Sequence, residues 1–142
     1  MLTDLVALFP NLSKEKYTRT SLPTTGYNCI AHAFNDQSQW WEPDPFGLFH
    51  WPVQTRDNST SGWIKMAESQ GYTRCSDGSI EKGFEKIVIY VRNHGPKHVA
   101  HQLDDGTWSS KLGPLDDISH TLSGLEDSSY GKALRYLKRP KP

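Results

Sequence analysis

The alternation of apolar and polar positions predicts most of the elements of this chain. Residues 86–92, KIVIYVR, form an apolar run too dense for a solvated face and read as a buried strand. Asn93-His94-Gly95-Pro96 is a turn, and residues 97–103 and 107–112 are two strands around Asp104-Asp105-Gly106. Residues 60–70 carry a helical period, opened by Ser59 or Thr60, with Trp63, Ile64, Met66 and Ala67 inward and Gly71 as the stop. Thr3 to Phe9 predicts a short helix ended by Pro10, and residues 11–28 read as loop. A second short helix starts near Asn28 or Cys29 and runs through Phe34, capped by Thr25 or Asn28. Asp116 to Leu125 reads as a helix after Pro114, and 130–138 as a final strand. Helices first, then an antiparallel meander with a helix before its last strand, is an α+β pattern.

One stretch has no period. Residues 37–58, QSQWWEPDPFGLFHWPVQTRDN, hold three of the five tryptophans among three prolines. They predict an irregular, aromatic-rich insertion. Its large rings suit two roles, covering the core and walling a cleft.

Length and charge narrow the function. At 142 residues the chain reads as a single domain, 1–142. Sixteen basic and sixteen acidic residues cancel. Lys132, Arg135, Lys138, Arg139 and Lys141 read as a solvated strand and tail, so no nucleic-acid partner is expected. No apolar stretch approaches the ~20 residues of a membrane helix, so no membrane partner is expected either. The N-terminal MLTDLVALFPNLSKEK carries Asp4 and lacks a leading positive region, unlike a signal peptide. Two cysteines are too few for a disulfide framework, although a single Cys29–Cys75 bridge is open to the chain. The expected location is the cytoplasm.

The candidate chemistry begins at "TTGYNCIAHAF", residues 24–34. A thiol nucleophile must ionise or lose its proton near neutral pH, and a helix start or an imidazole partner assists this. Cys29 lies in the first turn of the predicted helix, where unpaired N–H groups are also suited to an oxyanion. Six histidines are candidate partners. His32 lies one turn along the same helix and reads as packed. His94 lies in a turn and His120 on a predicted helix surface. His50 belongs to the aromatic insertion. His98 opens a strand that follows a buried one, and Ala100 on its face leaves room for a helix end.

A Cys at a helix start, then a His opening a strand, then a polar residue on the next strand, resembles the papain-like cysteine hydrolases. "YNCIAHAF" resembles their nucleophile helix, and "HVAHQLDDGTWSS" resembles the His-strand, turn and next strand of the NlpC-type cysteine peptidases. Asn-Cys-Ile-Ala and Trp-x-Ser-Lys-Leu-Gly are also similar to a bacterial domain family that implies no activity. The papain-like resemblance implies an N-terminal nucleophile helix packed on an antiparallel β-sheet meander. It also implies Cys29 as nucleophile, His98 as base, Ser110 as orienter, and a peptide or protein substrate with no cofactor. The reaction class is hydrolysis or acyl transfer at an amide, isopeptide or thioester. The glutamine that papain-like enzymes place six residues before the nucleophile is Pro23 here. The oxyanion donors then fall to the Cys29 N–H with Tyr27 or Asn28. Trp40, Trp41, His50 and Trp51 are the expected substrate-binding wall.

The role of Ser110 depends on hairpin register. A two-residue Asp105-Gly106 turn points Ser110 away from the face of His98. A type I turn with Gly106 in a left-handed bulge pairs Leu103 with Thr107 and puts Ser110 on that face. Asp-Asp-Gly-Thr favours the bulge. Asp116 and Asp117 are alternative orienters. Cys29, His32, His98 and His101 are zinc-ligand types without paired ligand spacing, so no metal is expected. The rival reading is a catalytically inactive binding module that holds a protein partner on the aromatic surface.

Overall fold

The computed structural model describes residues 4–142. Its framework is one seven-stranded antiparallel sheet. The strands are β1 (Tyr17–Arg19), β2 (Thr73–Cys75), β3 (Phe84–Arg92), β4 (Gly95–Gln102), β5 (Trp108–Lys111), β6 (Asp117–His120) and β7 (Lys132–Pro140). Their order across the sheet is β1-β6-β5-β4-β3-β7-β2. The helices are short: α1 (Leu5–Leu8), α2 (Cys29–Ala33) and α3 (Thr60–Ser69). Among the described residues no helix is long and apolar enough to cross a membrane.

This mainly-β architecture overturns the α+β, papain-like expectation of a nucleophile helix packed on a β-meander. Three segments make the difference. Residues 116–125, expected as a helix, instead hold β6 and a 3₁₀ turn at Ser123–Leu125. β6 pairs with both β5 and β1, so its backbone groups are satisfied by the ladder on each side. Ile118 and His120 are buried on one face, and Asp117 points to the other. Residues 17–19 and 73–75 supply the two edge strands, each three residues long and without an apolar alternation to announce it.

The other elements follow their local chemistry. Asp4 caps α1, and Thr3 of the expected helix lies outside the described residues. Ser59 caps α3, whose Trp63, Ile64, Met66 and Ala67 are all buried. Asn93 and His94, both at positive φ, make the tight β3–β4 turn. In the β4–β5 hairpin the Leu103 N–H donates to Thr107 and the Gly106 N–H donates to Leu103, with Gly106 at φ +89°. This is the bulged register, with His101 opposite Ser109 and Gln102 opposite Trp108.

The sheet is covered on both faces. Ile87, Ile89, Val99 and Leu137 pack with α2, α3 and the buried rings of the aromatic insertion. Val88, Tyr90, Ala100, Trp108 and Ile118 pack with Leu5, Phe9 and Leu12. The β4–β5 ladder holds two residue pairs and then stops, and α2 packs against both strands at its open end.

Candidate active site

Cys29 is the first residue of α2, placed by Asn28. The Asn28 side-chain oxygen accepts from the Ala31 N–H at 3.2 Å and the Trp41 N–H at 3.1 Å. Its amide nitrogen donates to the Trp41 carbonyl at 2.8 Å. One side chain therefore caps the helix and ties the aromatic insertion to its start.

The half-buried Cys29 lines a cavity of about 530 Å³ with Trp40, Glu42, Trp63, Lys97 and Tyr130. Burial pushes its thiol up to about 11. The backbone N–H groups of Val99, Ile30 and Cys29 itself face the sulfur and oppose that shift, as does the charge of Lys111. Alternation along the ladder gives this contact its meaning. Leu103 bonds across to Thr107, so the N–H of Val99 lies on the same β4 edge, facing β5. The strands have parted there, and the Cys29 sulfur faces that N–H instead. Cys29 and Cys75 are both free thiols.

His98 precedes Val99 and is fully buried. Its Nε2 lies 2.8 Å from Ser110 Oγ, so the bulged register puts these two side chains together. Ser110 Oγ also lies 2.7 Å from His120 Nε2, and His120 Nδ1 lies 2.7 Å from the Thr121 carbonyl. Nδ1 of His98 has no hydrogen-bond partner among the described residues. Burial pushes His98 well below the ordinary histidine range, and His120 and His32 push the same way. Tyr130, which lines the Cys29 cavity, stacks on the His98 ring with centroids 4.2 Å apart.

The remaining expected site residues fall in two groups. Trp40 lines the cavity, with its indole N–H donating to the Thr25 carbonyl. Trp41 and Trp51 are buried in the core, Trp41 stacked on Phe34. His50 is exposed and sits edge-on to Trp41. The Tyr27 hydroxyl donates to Asp117 at 2.6 Å, and Asp117 lies 3.7 Å from His32 Nδ1. Asp116 pairs with Arg19 at 2.8 Å. Both carboxylates therefore engage groups other than His98. Among the described residues no group of three metal-ligating side chains is assembled.

Three site features escaped the sequence reading. Tyr130 and Trp63 line the cavity from segments read as a strand and a structural helix. Lys111, fully buried, donates to the carbonyls of Thr24, Gly113 and Leu115, pinning the loop before α2 to the end of β5. Its place in "WSSKLG" carries no periodic signal. His120 was read as a helix-surface residue because the strand that buries it was missed.

The family model described as Domain of unknown function (DUF7689) matches residues 18–138. No curated protein and no solved structure matches the chain.

Proposed function

The chain belongs to the DUF7689 family. From that premise, which carries no activity with it, we propose that the protein is a cysteine-dependent hydrolase or acyl transferase acting on amide, isopeptide or thioester bonds of a peptide or protein. The observation that carries this reading is the free, buried Nδ1 of His98, one residue from the Val99 N–H that faces the Cys29 sulfur. The residue order shared with the NlpC-type cysteine peptidases supports it.

The resting pair is a neutral thiol and a neutral imidazole, since burial raises the one and lowers the other. Proton transfer therefore accompanies attack. Cys29 Sγ bonds to the substrate carbonyl carbon as its proton passes to His98 Nδ1, and the carbonyl π electrons move to oxygen. Collapse of the tetrahedral species breaks the bond to the leaving group, which takes the proton from His98. Water then repeats the sequence on the thioester and restores the thiol. The N–H groups beside the sulfur are the available oxyanion donors, and Trp40, Trp63 and Tyr130 flank the substrate.

The test is acyl transfer from p-nitrophenyl acetate to the native protein, with the acetylated residue located by mass spectrometry. Acetylation of Cys29 that is lost in His98→Ala and Cys29→Ser supports the proposal. Cys29 left unmodified until the protein is denatured refutes it. That outcome favours the second reading, an inactive binding module. The raised thiol and the exposed Phe46 and Leu48 of the aromatic insertion are the observations behind it.

A further inference from the structure

The hydrogen bonds behind His98 can be followed from an end whose polarity is fixed. The Thr121 carbonyl only accepts, so His120 Nδ1, 2.7 Å away, carries a proton and donates. His120 is 1% exposed, and burial pushes it down to about 4, so the ring is neutral near pH 7. A neutral ring protonated at Nδ1 bears a lone pair at Nε2. Ser110 Oγ, 2.7 Å from that Nε2, must therefore donate its one proton to it. The same oxygen is 2.8 Å from His98 Nε2 and has only lone pairs left for it. His98 Nε2 is then the donor. The buried His98 ring is neutral too, so its lone pair lies on Nδ1, the atom without a partner.

We propose that His120, acting through Ser110, is a positioning residue that sets the tautomer of His98 and keeps the Nδ1 lone pair free. Ser110 alone does not do this. A hydroxyl accepts or donates with equal ease and would hold either tautomer. An acceptor behind it, itself fixed by a backbone carbonyl, removes the choice. The strand pairing makes the relay. β4, β5 and β6 are neighbours in the sheet, and His98, Ser110 and His120 share one face of it. The catalytic consequence rests on the reading of His98 as a base, whereas the tautomer stands on the hydrogen bonds and on the burial that keeps both rings neutral.

Long-range ¹H–¹⁵N correlation of the histidine rings tests the assignment near neutral pH in the intact protein. The expected wild-type pattern is His98 protonated at Nε2 and His120 protonated at Nδ1. His120→Gln retains an acceptor for the Ser110 hydroxyl and is expected to keep the His98 pattern. His120→Phe removes the acceptor and frees that hydroxyl to donate to His98. The His98 proton is then shared between Nε2 and Nδ1, and acetylation of Cys29 by p-nitrophenyl acetate falls in proportion to the rings protonated at Nδ1. Ser110→Ala, which removes both roles, is expected to give a mixture of His98 tautomers, and it serves should His120→Phe fail to fold. A wild-type His98 protonated at Nδ1 overturns the proposal. So does an unchanged His98 pattern in folded His120→Phe, or in Ser110→Ala. A purely structural role for His120 would lower stability without moving the proton. The expected tautomers in a protein whose Cys29 resists acetylation would uphold the relay and refute the hydrolase.

Discussion

Tyr130 lies flat on His98, with ring centroids 4.2 Å apart and 4° between the planes. The same tyrosine packs against Phe9 at 5.1 Å and lines the cavity that holds Cys29. It therefore covers one face of a buried imidazole against the solvent of the cavity. That cover is part of what keeps the imidazole neutral, because a histidine shielded from water is disfavoured in its charged form.

Tyr130→Ala is expected to remove the shield. The His98 pKa rises towards its ordinary value, which a ring-proton titration by NMR reads directly. Stability falls by about 2 kcal/mol, less than the ~3–5 of a fully buried aromatic, since Tyr130 is half-buried. Tyr130→Phe keeps the stacking surface and is expected to leave both quantities close to wild type. An unchanged His98 titration in Tyr130→Ala would mean that the strands, and not this ring, exclude water.

Acid is expected to destabilise the fold through its buried histidines. Burial lowers His101 and His120 to about 4, and His98 and His32 shift in the same direction. The unfolded chain, with histidines near 6.5, then binds more protons than the folded one below that pH. This contribution to stability is constant well above pH 6.5 and is lost as pH falls towards 4. Each of His101 and His120 accounts for on the order of 2 kcal/mol between pH 6.5 and 5. Urea midpoints measured across that interval check the slope, and a flat profile would contradict burial of the neutral rings.

The hairpin that pairs His98 with Ser110 depends on Gly106, at φ +89°. A Cβ there is strained by the left-handed backbone and would meet Ile80 at 3.1 Å. Gly106→Ala is expected to cost about 1–2 kcal/mol, read from urea denaturation. The larger change is expected at Ser110, where loss of the bulged register would turn the hydroxyl away from His98 and shift the imidazole resonances.

That register was legible in the sequence because Asp-Asp-Gly-Thr carries its own turn chemistry. α3 was legible because four apolar residues mark one helical face and Ser59 caps it. β6 was not. Its aspartate, serine and histidine look solvated, yet Asp117 meets Tyr27, and His120 meets Ser110 inside the protein. Polar residues that satisfy one another across strands leave no hydrophobic period to read. Trp41 and Trp51 failed differently. Composition marked them as either core or cleft, and the contacts that make them core come from Phe34 and other distant residues. Cys29 stood out through its helix start, but the parting of β4 and β5 that brings Val99 to its sulfur is a tertiary event.

Arg56 organises the aromatic insertion at the mouth of the cavity. Its guanidinium donates to the Glu42 carbonyl at 3.2 Å, to Asp44 Oδ1 at 2.9 Å and to the Phe49 carbonyl at 2.9 Å. Asp44 in turn accepts from the Leu48 and Phe49 N–H groups. This clamp holds Phe46, 82% exposed, and Leu48, 76% exposed, in a fixed loop despite their lack of packing. Arg56→Ala removes the fork and leaves Asp44, nearly buried, without its counter-charge. Hydrogen bonds to charged groups are worth about 1.5–3 kcal/mol each, and partial exposure of Arg56 reduces what is lost here to about 2 kcal/mol overall. The loss should be local. Chymotrypsin is expected to cleave after Phe46 or Phe49 several times faster in Arg56→Ala than in wild type. Residues on β3 and β4 should keep their hydrogen-exchange protection. Equal cleavage rates in the two proteins would show that the loop holds its shape without the clamp.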